Sequence, residues 1–290
     1  MNHPENYIAK MCIIGVGLIG GSFALALREA GLVGEVIGVG RGVDNLRRAV
    51  ELGVIDRYTT DPAEGVRDAD LVFLATPVLA MSEVMAKISG HLKRGSVLTD
   101  GGSVKGAIID AVQPHLPAGV HFVPGHPIAG TEKSGAEAAF PTLYRERRCI
   151  LTPTEATDAG ALALVKALWQ AAGSEVVVMD VEKHDRVLAA ISHLPHMVAY
   201  ALVVAGSSYD RYEENILEYS AGGFKDFTRI ASSDPTMWRD IALTNKDALL
   251  EMMTHFEHFF AELREDIASS EGEKLYEFFL KSKQSRDAIL

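Results

Sequence analysis

The sequence has few cysteines, no excess of positive charge and no long hydrophobic run, and each absence excludes a class of protein. Two cysteines among 290 residues, Cys12 and Cys149, form no disulfide framework or zinc motif, and we expect both to be inert thiols in buried strands. A formal net charge of −11 disfavours a nucleic acid partner. No run approaches the ~18 apolar residues of a membrane span, and the polar residues 1–10 lack the apolar stretch of a signal peptide. The sequence therefore predicts a protein of the reducing cytoplasm.

What is present is a globular composition and a regular alternation of strands and helices. The chain is 48% hydrophobic and 23% charged, and its length allows two domains. Short runs rich in Val, Ile and Leu alternate with amphipathic stretches, which favours a parallel sheet with helices on both faces. We predict an N-terminal Rossmann-type, doubly wound α/β domain. Its predicted strands cover residues 11–17, 35–40, 70–77, 95–102, 120–127, 149–153 and 174–180.

After residue 180 the pattern changes to helical periodicity. The stretch 181–208 keeps this periodicity throughout, and Pro195 predicts a kink within it. No strong strand follows. We therefore predict an NAD(P)-binding domain over 1–180 and a helical substrate and dimerisation domain over 181–290, with a homodimer because long apolar helices need a partner to cover them.

The stretch GVGLIGGS carries glycines at the G-x-G-x-x-G spacing: Gly15, Gly17 and Gly20. Alone the spacing is weak, and a tight structural turn is the alternative. Here it follows a predicted strand and opens a helix, which is the arrangement that binds a dinucleotide pyrophosphate. The backbone N–H groups at the helix start, including those of Leu18 and Ile19, would face the phosphates.

The identity of the dinucleotide depends on the end of the second predicted strand. An NAD enzyme usually has an acidic residue there, whereas this chain has Gly40 and Arg41. Arg41 can pair with a 2′-phosphate, so we expect NADP to be favoured over NAD, although Asp44 follows, inside the next predicted helix. Thr76 and Pro77, at the end of the next core strand, are expected near the nicotinamide ribose; an ordinary strand-to-loop turn is the alternative.

Two polar clusters follow strands of the first domain. In DGGSVKG, Ser103 lies near the start of a helix, and the residues alone favour a helix cap. In PGHPIAGTEKSG, His126 lies between Gly and Pro at the expected carboxyl end of a strand, where open sheets bind ligands. We therefore favour a functional role for His126.

Two further clusters lie in the helical part. In SHLPH, His193 and His196 share a helix face, but no third ligand suggests a metal site, and we expect no metal. In GGFKDFTRIASSDPTMW, Arg229 is a candidate clamp for an anionic substrate, with a surface ion pair as the alternative.

These clusters, taken together, resemble the prephenate/arogenate dehydrogenase family of tyrosine biosynthesis, from about Lys10 to beyond Trp238. The motifs IIGVGLIGGS, DGGSVKG, GHPIAGTEKSG, SHLPH and DFTRIASSDPTMW occur in the family's order. The resemblance implies NAD(P)-dependent oxidative decarboxylation of prephenate or arogenate, in a cleft between a Rossmann domain and a helical dimerisation domain. Hydride leaves C4, a base takes the C4-hydroxyl proton, and CO2 departs as the ring becomes aromatic, with no metal or covalent intermediate needed.

The resemblance also implies roles for single residues. His126 would accept the hydroxyl proton, Ser103 would orient the hydroxyl or the nicotinamide, and Arg229 would clamp a substrate carboxylate. His196 would contact the substrate side chain and His193 would support it. Glu132 is similar to a position that gates the pocket, and Asp226 and Trp238 to supporting or subunit-contact positions.

Two other functions stay open from the residues. One is a Rossmann-plus-helical dehydrogenase of the 3-hydroxyacid or imine type, which commonly uses a lysine base on the interdomain helix. Here that stretch, HDRVLAAISHLPH, offers histidines instead, with Lys183 only at its start. The second is an NAD(P)-sensing protein without chemistry, against which His126, His196 and Arg229 argue.

Overall fold

A parallel sheet flanked by helices is followed by an all-helical region in the computed structural model, which describes residues 4–209 and 216–289. The strands are β1 Ile8–Ile14, β2 Val33–Val39, β3 Arg57–Thr59, β4 Leu71–Leu74, β5 Val97–Asp100, β6 His121–Val123, β7 Gly125–Pro127, β8 Arg148–Leu151 and β9 Glu175–Val178. The helices are α1 Leu18–Glu29, α2 Val43–Glu51, α3 Pro62–Gly65, α4 Met81–Ile88, α5 Lys105–Val112, α6 Ala159–Ala171, α7 Val181–Leu188, α8 Leu194–Ser207, α9 Gly222–Thr228, α10 Pro235–Thr244, α11 Lys246–Ala268 and α12 Gly272–Asp287.

The large sheet confirms the predicted doubly wound fold. Its six strands run parallel in the order β3-β2-β1-β4-β5-β6, so the chain reverses its winding direction between β1 and β4. The strand β3 was not among the predicted ones, because its three residues, Arg57–Thr59, form no apolar run.

Alternate residues of the central strands point into two separate cores. Met11 and Ile13 of β1 belong to one core, while Cys12 and Ile14 belong to the other. This arrangement explains the continuous apolar runs, since both faces of the sheet are covered. Cys12 and Cys149 are buried free thiols, as expected, and burial raises the pKa of Cys12 to about 12 and that of Cys149 still further.

The strand predicted over 120–127 is wrong, because the chain changes sheets within it. His121–Val123 completes the parallel sheet, whereas Gly125–Pro127 pairs antiparallel with β8 in a second sheet of order β7-β8-β9. Pro124 lies between the two strands and has no N–H to donate to the first ladder. The strands β7, β8 and β9 therefore form a separate, mixed sheet, and His126 lies just after the point where the chain leaves the large one.

The first helical segment after the second sheet contains an irregular turn. A π-helical turn over Ala189–His193 separates α7 from α8, and Pro195 occupies the first turn of α8. Because proline lacks the N–H that an α-helix interior needs, the irregularity precedes it, where the sequence predicts a kink. No strand follows β9 in the residues that the structure describes.

The sequence holds no uninterrupted apolar run of about 18 residues, as expected, yet one helix of the described residues is long and apolar enough to cross a membrane by length and composition alone. The helical run Val181–Ser207 has 27 residues and contains an 18-residue stretch with a mean hydropathy of 1.8, of which 22% is buried. Its apolar residues are interrupted by charged and polar ones, among them His184, Asp185 and His193, so they form no continuous run. His184 and His193 are buried within the folded chain.

The chain divides into two compact units, Met1–Lys246 and Asp247–Leu290. The first unit holds both sheets and every candidate site residue. The second unit consists of most of α11 together with α12, and large apolar side chains on both helices are exposed, including Phe260 and Phe279.

Candidate active site

The three motif glycines serve different purposes at the end of β1. Gly15 has φ +101°, and a Cβ there would lie 2.4 Å from the carbonyl oxygen of Ala75. A Cβ on Gly20 would lie 2.6 Å from the side chain of Ile13, so helix and strand could not pack as closely. At Gly17 a Cβ would meet nothing within 4 Å. Two glycines are thus required by the fold, while the third leaves space beside the backbone.

The start of α1 lies next to that space. Gly17 is its N-cap and provides no side-chain acceptor, so the first backbone N–H groups, those of Leu18 and Ile19 among them, have no intrahelical partner. Nearby, Thr76 Oγ1 is buried with no hydrogen-bond partner among the described residues. The cradle therefore fits a pyrophosphate group, and the orphaned hydroxyl is available to a bound cofactor.

The end of β2 carries no acidic side chain. The strand ends at Val39, and Arg41, in the loop that follows Gly40, is exposed. Asp44 lies in α2, as predicted, where its fully exposed carboxylate is 3.9 Å from Arg47. The positive charge of Arg41 contributes, after that of Lys87, to lowering the pKa of Glu83.

His126 is the buried histidine at the start of the second sheet. The residue is 8% exposed, and its Nδ1 lies 2.9 Å from Nε2 of His184 on α7. Burial, and then electrostatic interactions with His184, Lys105 and His193, hold the pKa of His126 well below its usual range. The imidazole is therefore neutral at pH 7 and can accept a proton.

The prediction that Ser103 caps helix α5 is wrong. The N-cap of α5 is Val104, without a side-chain hydrogen bond, and the acceptor comes from another helix. Asp185 of α7 accepts the backbone N–H groups of Lys105 at 2.8 Å and Gly106 at 2.9 Å. The same carboxylate lies 2.8 Å from Nδ1 of His184, which leaves the half-buried Ser103 free of a capping role.

A buried ion pair holds the backbone before His126. Lys105 pairs with Asp100, both side chains being fully buried, and Lys105 also donates to the carbonyl of Gly125. Asp100 accepts the N–H of Gly125 at 3.0 Å. Burial lowers the pKa of Lys105, whereas Asp100 favours its charged form. The pair thus fixes both backbone groups of the residue that precedes the histidine.

The two histidines of SHLPH meet one tryptophan. The ring of His196 stacks on Trp238 with centroids 3.6 Å apart, and the ring of His193 lies 6.1 Å from the same indole. His193 Nδ1 is 3.0 Å from the amide nitrogen of Asn245, which also donates to the carbonyl of Asp185 at 2.8 Å. Burial lowers the pKa of His193 to about 4 and also lowers that of His196.

Arg229 and Glu132 form an exposed ion pair. The guanidinium lies 3.4 Å from the carboxylate, with side-chain exposures of 62% and 41%. The positive charge of Arg229 also lowers the pKa of His196, so the two are close in space. The surface ion pair, which was the alternative interpretation of Arg229 from the sequence, is therefore present. Because this pair is exposed to solvent and weak, the guanidinium can still bind a stronger anionic partner.

Sequence reasoning missed the residues that support His126, namely His184, Asp185, Lys105, Asp100 and Asn245. Lys105 carries a detectable signal, since its spacing from Ile108 and Val112 puts it on the buried face of α5. The pair His184-Asp185 has no comparable signal, because its partners lie about 60 to 80 residues away in the chain. In the described part of the chain, no group of three or more His, Cys, Asp or Glu residues could hold a metal ion.

Comparison with known proteins places this geometry in a family. Residues 23–178 match the nucleotide-binding domain of prephenate dehydrogenase, and residues 180–281 match its dimerization domain. The chain belongs to the prephenate dehydrogenase family. It is 41% identical to a cyclohexadienyl dehydrogenase of Zymomonas mobilis, covering 96% of this chain and 95% of that one. It is 38% identical to a prephenate dehydrogenase of Bacillus subtilis, covering 96% and 75%.

A solved structure supports the same assignment. The prephenate dehydrogenase of A. aeolicus, crystallised with hydroxyphenyl propionate and NAD+, superimposes with a TM-score of 0.91 at 41% identity, covering 97% of this chain and 98% of that one. As a prephenate dehydrogenase family member, the chain is an NAD(P)-dependent oxidoreductase that oxidatively decarboxylates prephenate, arogenate or both, in tyrosine biosynthesis.

Proposed function

We propose that this dehydrogenase prefers NADP and uses His126 as the general base of the reaction. When bound, the nicotinamide takes up the hydride from C4 of the substrate. The proton of the C4 hydroxyl then passes to the neutral imidazole of His126. The observation that carries this assignment is the burial of His126 beside His184, which keeps the ring neutral at pH 7 and fixes its orientation.

The substrate carboxylates are bound by the cationic side of the site. Arg229 releases Glu132 and binds a substrate carboxylate instead. A bidentate bond from the guanidinium to a carboxylate shielded from water is stronger than the exposed Arg229–Glu132 ion pair at 3.4 Å. His196 contacts the substrate side chain while Trp238 holds its ring in place by stacking. His193 supports this arrangement through Asn245. Released from Arg229, Glu132 gates the entrance to the pocket.

The remaining roles follow from position in the chain. Ser103, in the loop between β5 and α5, orients the substrate hydroxyl or the nicotinamide. Asp226, in α9 and three positions before Arg229, is a supporting or subunit-contact residue. The cofactor is bound by the glycine cradle, with Arg41 on its 2′-phosphate. The cofactor-binding residues proposed here are Gly15, Gly17, Leu18, Ile19, Gly20, Arg41, Thr76 and Pro77.

We assign residues 1–180 to the NAD(P)-binding domain and 181–290 to the helical substrate and dimerisation domain. The match of 180–281 to a dimerization domain and the exposed apolar side chains of that region support a homodimer. A protein of amino-acid biosynthesis whose two thiols are free and buried suits the cytoplasm.

The test is steady-state kinetics with prephenate and arogenate, each against NADP and NAD, followed at 340 nm. We expect turnover of at least one substrate and a kcat/KM that is higher with NADP. A tenfold preference for NAD would reject the role of Arg41. Absence of turnover with both substrates and both cofactors would reject the function and favour an NAD(P) sensor.

A further inference from the structure

The carboxylate of Asp185 stands at the end of a buried line of hydrogen bonds that reaches His126. Asp185 Oδ1 lies 2.8 Å from His184 Nδ1, and His184 Nε2 lies 2.9 Å from His126 Nδ1. The side chain of His184 is fully buried, and that of Asp185 is 15% exposed. Both residues belong to α7, so one helix sets both distances.

The carboxylate at one end sets the direction of the first hydrogen bond in this line. An ionised carboxylate can only accept, so Nδ1 of His184 carries the proton that it donates to Asp185. With this as its only ring proton, His184 has a lone pair on Nε2 that accepts from Nδ1 of His126. His126 then carries its own proton on Nδ1, and its Nε2 is left unprotonated.

Asp185 is held in the ionised form by its surroundings. Although burial raises its pKa, the hydrogen bonds from His184 and from the backbone N–H groups of Gly106 and Lys105 outweigh this effect and lower it. The start of α5, to which those N–H groups belong, further favours a negative charge.

The other charged and titratable groups around His126 do not reproduce this influence. Lys105, on α5, is paired with Asp100 of β5. His193, on the π-helical turn, has a pKa of about 4 and is neutral at pH 7. Only the line through His184 connects a carboxylate to the ring of His126 among the described residues.

We propose that His184 and Asp185 are positioning residues that set the tautomer of His126, so that its Nε2 is the atom that accepts the substrate proton. This inference rests on the proposed role of His126 as the base. In the step, the O–H bond of the substrate breaks and an N–H bond forms at Nε2 of His126. The resulting imidazolium keeps its Nδ1 proton in the hydrogen bond to His184, and Asp185 supplies the compensating negative charge.

The kinetic test replaces His184 by Gln, whose amide can accept from Nδ1 of His126 but cannot relay the carboxylate's effect. We expect His184→Gln to lower kcat roughly 10- to 100-fold with KM for substrate and cofactor within about twofold. His184→Phe, which removes the acceptor, should lower kcat further. His121→Gln, the same change on β6, is the matched control and should leave kcat unchanged. A kcat within twofold of wild type for His184→Gln would overturn the proposal.

A second test needs no variant of His184 and no turnover. In protein labelled with ¹⁵N-histidine, nitrogen shifts identify the protonated ring nitrogen, and His126 is assigned by the signals lost in His126→Asn. We expect the Nδ1–H form in the wild-type protein, and the Nε2–H form would overturn the proposal even if His184→Gln failed to fold. Failure of the proposed function would show itself differently, as an unchanged kcat in His126→Asn or as no turnover by the wild type.

Discussion

Replacement of His126 by Asn removes the proposed base while keeping its hydrogen bond. The Asn side-chain amide can reach the position of Nδ1 and donate to Nε2 of His184, so no buried partner is abandoned. Asn has no basic nitrogen, and the proton of the substrate hydroxyl must then pass to water. The fold and the bound substrate should therefore change little.

The size of the effect follows from the state of the ring. Because burial keeps the pKa of His126 well below its usual range, nearly every molecule holds the neutral base at pH 7, and its full contribution is lost in the variant. A positioned general base contributes about 10²- to 10⁴-fold, which corresponds to about 3–5 kcal/mol of transition-state stabilisation.

The assay is the initial rate of NADPH or NADH formation at 340 nm with saturating prephenate or arogenate. We expect kcat to fall by about 10²- to 10⁴-fold while KM for substrate and cofactor stays within about threefold. His121→Asn, on the neighbouring strand β6, serves as the matched control. A kcat within threefold of wild type in a folded His126→Asn protein would remove this histidine from the mechanism.

Four further predictions concern binding and stability. Arg229→Ala should raise the KM for substrate about 10- to 100-fold with a smaller effect on kcat, because ground-state binding is lost; a defect mainly in kcat would contradict the clamp. Gly17→Ala should weaken cofactor binding at least about tenfold while the melting temperature stays unchanged. Gly15→Ala should lower the melting temperature itself, because the new Cβ would lie 2.4 Å from the carbonyl oxygen of Ala75. Nucleotide titration measures the first effect and thermal unfolding the second. Lys105→Met should lower the free energy of unfolding, measured in urea, by about 3–5 kcal/mol, because Asp100 is left buried and unpaired. Lys87→Met, which breaks an exposed ion pair, should have a free energy of unfolding close to that of wild type. Equal losses in the two variants would refute this prediction. His193 has a pKa of about 4 in the folded chain, below its usual value, so the unfolded chain binds more protons between pH 6.5 and 4. The free energy of unfolding should therefore fall as the pH drops from about 6.5 to 4. This fall should be less steep in His193→Gln.

The doubly wound domain could be predicted because its signals are local. Apolar runs located the strands of both sheets, except that β3 was missed and β6 and β7 were predicted as one strand, and the glycine spacing after β1 located the cradle at the start of α1. Pro124 and Gly125 are a local sign that the strand ends there, but the sequence does not show which sheet the next residues join, because their partner strand β8 lies about 25 residues later.

The candidate site divides in the same way. His126, His196, Arg229 and the glycines stand in conspicuous motifs, so the sequence could point to them. Asp185 could not be found this way, because its purpose depends on two backbone N–H groups about 80 residues earlier in the chain. The expected cap at Ser103 failed for the same reason, since the sequence alone could not show that another helix supplies the acceptor.

A crystal structure with NADP and hydroxyphenyl propionate tests the central claim most directly. The account predicts Nε2 of His126 within hydrogen-bonding distance, about 2.6–3.2 Å, of the phenolic hydroxyl, with the guanidinium of Arg229 on the carboxylate. A complex in which the imidazole faces away from the hydroxyl, or in which Arg229 keeps Glu132 while the ligand carboxylate binds elsewhere, would contradict it.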